Sequence, residues 1–151
     1  MLNPVRVRRS VFIRATPAEV WKLCQDPRTA QSLLPRGGAL EVLTDRFDQV
    51  GSRWLIVTTS GKERREVVNE VVEIEPMRRQ VVRSRADRMD STSITTLTPQ
   101  GDGTLLSIEA TAEFPPGLQS IANRMVTAIV GPIATGRALK QLARLVELRP
   151  R

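Results

Sequence analysis

Five clusters of turn-forming residues divide residues 39–114 into six segments of strand length: Val50-Gly51, Ser60-Gly61-Lys62, Glu75-Pro76-Met77, Asp87-Arg88 and Pro99-Gln100-Gly101-Asp102-Gly103. The segments are Leu40 to Thr44, Ser52 to Thr59, Arg64 to Ile74, Gln80 to Arg85, Ser91 to Thr98 and Thr104 to Phe114. Connections this short join neighbouring strands as hairpins, so the pattern predicts an antiparallel meander. The last segment alternates most cleanly. Leu106, Ile108, Ala110, Ala112 and Phe114 share one face, while Ser107, Glu109, Thr111 and Glu113 share the other. Such alternation describes a sheet with one dry face and one wet face.

Before the meander, Val5 to Ala15 alternates in the same way, with Val5, Val7, Val11 and Ile13 on one face and Arg9 interrupting it. Thr16-Pro17 then changes the period. Thr16 suits a helix N-cap, Pro17 the first helical position and Glu19 the third, which is capping-box spacing. This predicts a short helix through Gln25 bearing Val20, Trp21, Leu23 and Cys24, stopped by Asp26-Pro27 because the residue before proline resists the α conformation. A second short helix is predicted from Arg28 to Leu34, before Pro35-Arg36-Gly37-Gly38 turns the chain. Five of the acids, Asp45, Asp48, Asp87, Asp90 and Asp102, are placed at turns.

Pro115-Pro116-Gly117 ends the sheet region, and the chain then reads as helix to Leu148. Leu118, Ile121, Ala122, Met125, Val126, Ile129 and Ile133 recur at helical spacing, and Ala138, Leu142, Leu145 and Val146 continue on a rotated face. Gly131-Pro132 predicts a bend, since Pro132 has no N–H to give the carbonyl of Ala128. A helix of roughly 45 Å is as long as the domain itself and must lie across the sheet.

At 151 residues the chain fits one domain, 1–151, with enough apolar residues for a real core. There is no histidine, no tyrosine and a single cysteine, Cys24. These absences remove the usual general base, the commonest metal ligand and any thiolate cluster, so no metal or other cofactor is expected. Chemistry would fall to carboxylates, Lys, Ser/Thr, Arg or Cys24, and the acids do not assemble into a dyad. With no apolar run of membrane-spanning length and no signal-like segment in MLNPVRVRRS, the default expectation is a cytoplasmic protein. The formal charge is +7, and 20 of the 23 basic residues are Arg. A surface of that sign can attract nucleic acid, an anionic membrane or an acidic ligand. The arginines are nevertheless scattered through strand-like segments and form no single stripe, as solvated side chains would.

The order of elements, and several stretches within it, resemble a known superfamily. VRRSVFIRATPAEVWKLCQDP, VGSRWLIV, VVEIEPMRR, LTPQGDGTLLSIE and RALKQLARLVE are similar, in that order, to the opening strand and helix, third strand, "v-e-P-x-r" turn, Gly-Thr hairpin and last helix of START-like (SRPBCC) proteins. These include the polyketide cyclase/dehydrase and lipid-transport types and plant pollen-allergen relatives. The resemblance runs from about Val7 to Glu147. It implies an α+β helix-grip fold, a curved seven-stranded antiparallel sheet wrapped around a long C-terminal helix, with two short helices after strand 1 plugging one end and Trp21 anchoring that plug. One helix cannot fill such a concavity, so a cavity is expected between helix and sheet.

The expected lining comprises Leu106, Ile108 and Ala110 with Met125, Ile129 and Ile133 opposite. For Ser91 to Thr98 two faces are open: Ser93, Thr95 and Leu97 inward, which agrees with the family pattern, or Thr92, Ile94 and Thr96 inward. Arg9 is read as pairing with an inward acid such as Glu66 or Glu70, as reaching solvent at the sheet's end, or as meeting an anionic group of a ligand. Trp54 resembles the family's third-strand aromatic and either stacks on a ligand or packs in the sheet. Cys24 reads as a small, inert apolar residue. The expected partner is a hydrophobic small molecule such as a lipid, quinone or polyketide-like compound, carried without catalysis by a monomer or dimer. The alternatives are a polyketide cyclase/dehydratase-type enzyme and a ribosome- or RNA-associated protein using an arginine patch on the outer sheet face.

Overall fold

The computed structural model describes residues 4–87, 89–114, 117 and 136–147. The elements are β1 (Val5–Ile13), α1 (Pro17–Cys24), α2 (Pro27–Ser32), β2 (Ala39–Val42), β3 (Arg53–Ser60), β4 (Glu63–Glu75), β5 (Arg79–Ala86), β6 (Met89–Gln100) and β7 (Gly103–Glu113), with a helical segment, α3, over 136–147. All seven predicted strands are present. The predicted helical stripe Leu118 to Ile133, including Met125, Ile129 and Ile133 and the Gly131-Pro132 bend, lies outside the described residues, as does Arg88.

The strand-to-helix change at Thr16 is a full capping box. Thr16 Oγ1 accepts from the Glu19 N–H at 3.2 Å, and the Thr16 N–H donates to Glu19 Oε2 at 3.2 Å. The next break reuses one residue twice. Asp26 follows the end of α1 and caps α2, its Oδ1 accepting from the Arg28 N–H at 2.9 Å, with Pro27 at the first helical position. The second helix therefore starts at Pro27 and ends at Ser32, earlier at both ends than the sequence predicts. Asp90 also departs from expectation: it lies inside β6, paired with Arg85, because the β5–β6 connection is confined to residues 87 and 88.

The sheet is antiparallel in the order β1-β7-β6-β5-β4-β3-β2, so the first and last strands are neighbours and β1 and β2 form the edges. Its curvature is helped by a break in the β4–β5 register between Val71 and Glu73, since an extra residue bends and twists a strand. The helix-grip architecture implied by the sequence is the one observed. Its α3 packs on the inner face: Leu139, Leu142, Ala143 and Val146 join Ile13, Leu97 and Leu106 from the sheet and Val20 and Leu23 from α1 in one buried cluster. Two polar bonds tie α3 further. Gln141 Nε2 donates to the Ser32 carbonyl at 3.2 Å, and the Arg14 N–H donates to Glu147 Oε1 at 3.3 Å.

One end of β7 is locked against the β1–α1 bend. Thr104 is fully buried, and its Oγ1 donates to the Ala15 carbonyl at 2.7 Å. Beside it, Gly103 sits so close to β1 that a Cβ would collide with the Ile13 carbonyl oxygen and lie 2.7 Å from Phe12 Cζ. The Gly-Thr pair is thus required by close backbone approach and by a buried hydrogen bond.

The outer face mixes charges. Arg64 pairs with Glu66 at 2.9 Å and Arg79 with Glu73 at 2.6 Å, while Arg8 stands opposite Glu109 and Arg83 opposite Glu70. The arginine patch anticipated for an RNA-associated surface is therefore interleaved with acids among the described residues.

Candidate functional site

Cross-strand register decides which side chains share the inner face. Leu97 pairs with Leu106, Thr95 with Ile108, Ser93 with Ala110 and Ser91 with Ala112. Leu97 and Leu106 are both in the cluster under α3. Of the two faces left open for β6, the inner one therefore carries Ser93, Thr95 and Leu97. Continuing across the sheet, Gln80 pairs with Thr95, Val82 with Ser93 and Ser84 with Ser91; Ser84 in turn pairs with Asn69, and Asn69 with Trp54.

Among the described residues, the apolar side chains of this face fall into separate clusters. One cluster lies on the β1, β7 and β6 side beneath α1 and α3. Another gathers Phe47, Trp54 and Val71, with Ala30, Leu40, Val42, Ile56, Ile74 and Val82 packed around them. A small third group, Val5, Ala112 and Phe114, sits at the far end of β1 and β7. Between the first two runs a polar lane on β4, β5 and β6: Asn69, Gln80, Ser84, Ser91, Ser93 and Thr95. Asn69 is buried and the others are half-buried.

Part of the lane is internally bonded. Ser84 Oγ donates to Asn69 Oδ1 at 2.6 Å, and Asn69 Nδ2 lies 3.5 Å from the Trp54 carbonyl. At the end closed by α1 and α2, Gln25, the C-cap residue of α1, reaches down so that its Nε2 donates to Gln80 Oε1 at 2.8 Å. Gln25 Oε1 is buried and has no hydrogen-bond partner among the described residues. A lane of hydroxyls and amides between two aliphatic clusters can bind a mainly apolar molecule and orient its oxygen atoms, since each buried polar group must find a partner.

Of the residues nominated from sequence, Ser93, Thr95, Leu97, Leu106, Ile108 and Ala110 lie together on this face; Leu97 and Leu106 are buried in the core and the other four are half-buried. Trp54 lies in the second cluster, 8% exposed, its ring 4.7 Å from that of Phe47. Of the three readings of Arg9, its position fits the one that has it reach solvent. It is exposed, its guanidinium running beside Gly136 of α3, where a Cβ would meet Nε and Nη2 at 3.6 Å. The acids suggested as its inward partners do not face in. Glu66 and Glu70 alternate with Asn69 onto the outer side, where Glu66 binds Arg64.

Gln25, Asn69, Gln80 and Ser84 were not singled out from the sequence. Asn69 interrupts Val67 and Val71, and Gln80 and Ser84 flank Val82 at strand spacing, so the alternation contained the signal. Cys24 is half-buried, and burial pushes its thiol pKa up to about 11, as suits an inert side chain.

Outside the lane an open cleft of about 690 Å³ lies between the start of α1 and the β4–β5 turn, lined by Thr16, Pro17, Met77, Arg79, Thr96 and Thr98 among others. Its two arginines, Arg78 and Arg79, are held by Glu75 and Glu73. Among the described residues, no helix is long and apolar enough to cross a membrane, and no cluster of acids or Cys24 could hold a metal ion.

Solved structures share this architecture over nearly the whole chain. The Zhui aromatase/cyclase from Streptomyces sp. R1128 superposes with a TM-score of 0.81 at 14% identity, covering 98% of this chain and 96% of that one. TTHA0849 from Thermus thermophilus gives 0.77 at 21% identity, covering 94% and 97%. CV1439 from Chromobacterium violaceum gives 0.72 at 24% identity, covering 95% and 98%. At these identities the likeness establishes the fold. No curated protein matches by sequence. The sequence pattern of one family does match, over residues 4–147. By that match, supported by its topology, the chain belongs to the polyketide cyclase / dehydrase and lipid transport family.

Proposed function

We propose that this protein binds and carries a hydrophobic small molecule bearing a few oxygen functions, held between the inner face of the sheet and the C-terminal helix. One observation carries the reading: among the described residues, the inner face sets Asn69, Gln80, Ser84, Ser93 and Thr95 beside two apolar clusters. Hydroxyls and amides between the clusters gain little from packing and are suited to a guest that brings its own polar atoms. Family membership supports the same class of ligand, since the family's description names lipid transport alongside polyketide chemistry.

The lane's described side chains are neutral hydrogen-bonding groups, so binding and orientation are put forward ahead of turnover. Native mass spectrometry of protein isolated gently from its own host tests the reading. A bound mass that leaves on denaturation, and an extract containing an apolar compound with few oxygens, is the expected result. Repeated recovery of bare protein would overturn it.

A further inference from the structure

Gln25 and Gln80 meet at the plugged end of the lane in an arrangement that packing alone does not account for. Their amides make one hydrogen bond of 2.8 Å, and the remaining oxygen of Gln25 is buried without a donor among the described residues. Reversing both amides would move the deficit without removing it, because Gln25 would then leave its NH₂ unpaired. A buried amide group left unpaired costs about 1–3 kcal/mol. Apolar side chains of similar length at 25 and 80 would avoid that cost. Thr95, half-buried beside Gln80 in the β5–β6 register, places a third neutral polar group at the same spot.

We propose that the Gln25–Gln80 pair is the polar floor of the binding lane and recognises a hydroxyl group of a neutral hydrophobic ligand. This rests on the ligand-binding reading above. A hydroxyl both donates and accepts, so it completes the pair in either amide orientation. A carboxylate has no proton to give the Gln25 oxygen, so with the amides in the orientation described it leaves that oxygen unpaired.

Fluorescence titration with 2-naphthol, naphthalene and 2-naphthoate, on the wild-type protein and on Gln25→Met, tests the proposal. The wild type is expected to bind 2-naphthol about tenfold more tightly than naphthalene or naphthoate, the range of one well-made hydrogen bond. Gln25→Met is expected to bring the naphthol-to-naphthalene ratio close to one. The double variant Gln25→Met/Gln80→Met is expected to melt no lower than wild type, which separates a recognition role from a structural one. An unchanged ratio in Gln25→Met, equal binding of naphthol and naphthalene by the wild type, or a preference for naphthoate would each overturn the floor while leaving the lane as a binding site. Binding of none of the three probes would count against the lane itself and remove both readings.

Discussion

The hydroxyl of Thr104, at the start of β7, donates at 2.7 Å to the carbonyl of Ala15, just beyond the end of β1. This bond crosses 89 residues of sequence and joins the bend that launches α1 to the last hairpin of the sheet. Thr104→Val keeps the shape and removes the donor, leaving a buried carbonyl unpaired. The expected loss is about 1–3 kcal/mol of unfolding free energy, read from urea denaturation with an unchanged slope. Stability equal to wild type would show that the bond contributes nothing.

Gly103 is the steric half of the same joint. Alanine there drives a methyl group into the Ile13 carbonyl and the Phe12 ring. The β1–β7 pairing must shift to admit it, and overpacking of this kind costs about 1–3 kcal/mol or more. Gly103→Ala is expected to melt well below wild type, and unchanged melting would contradict the close approach.

Gly136 should behave in the opposite way. It is helical, and a Cβ there meets the Arg9 guanidinium at 3.6 Å, which is ordinary contact. Gly136→Ala removes the entropic weakness of glycine in a helix and is expected to raise stability by about 0.5–1 kcal/mol. A loss of stability on calorimetry would show that Arg9 needs the space.

Burial raises the Cys24 thiol from its ordinary value of 9.0 to about 11. At pH 8 the native protein therefore holds about a hundredfold less thiolate than an unfolded chain, and iodoacetamide should label it at least that much more slowly. The sign for stability follows. Between about pH 9 and 11 the unfolded state releases this proton while the folded state keeps it, so the contribution is full below pH 9 and declines as pH rises. Cys24→Ala should flatten that decline in urea titrations across the same interval.

The two clusters found among the described residues of the inner face predict independence between them. Leu106→Ala in one cluster and Val71→Ala in the other are each expected to cost about 2–5 kcal/mol, the smaller side chain nearer the low end. Their sum should match the double variant within about 0.5 kcal/mol. A larger coupling would mean that the clusters pack as one.

Much of the architecture is legible in the sequence, because short-range physics wrote it. Alternation placed Leu106, Ile108, Ala110, Ala112 and Phe114 on one face of β7, and the Thr16-Pro17-Glu19 spacing located the start of α1. The inner face of β6 required the Leu97–Leu106 register, which no single strand contains. Asp90 looked like a turn residue because aspartate favours turns, yet pairing with Arg85 carries it into the strand. Gln25 was invisible as a site residue, since its meaning depends on Gln80, 55 positions away. The lane was readable one strand at a time as polar interruptions, and only the assembled sheet lines up Asn69, Ser84 and Ser91 in one row and Gln80 with Thr95 in another.

That lining-up bears on how such a protein can diversify. Substitutions among the hydroxyls and amides that lie beside the two described hydrophobic clusters leave the contacts within each cluster whole. Preference for a new guest can then drift residue by residue, without the chain passing through an intermediate that fails to fold.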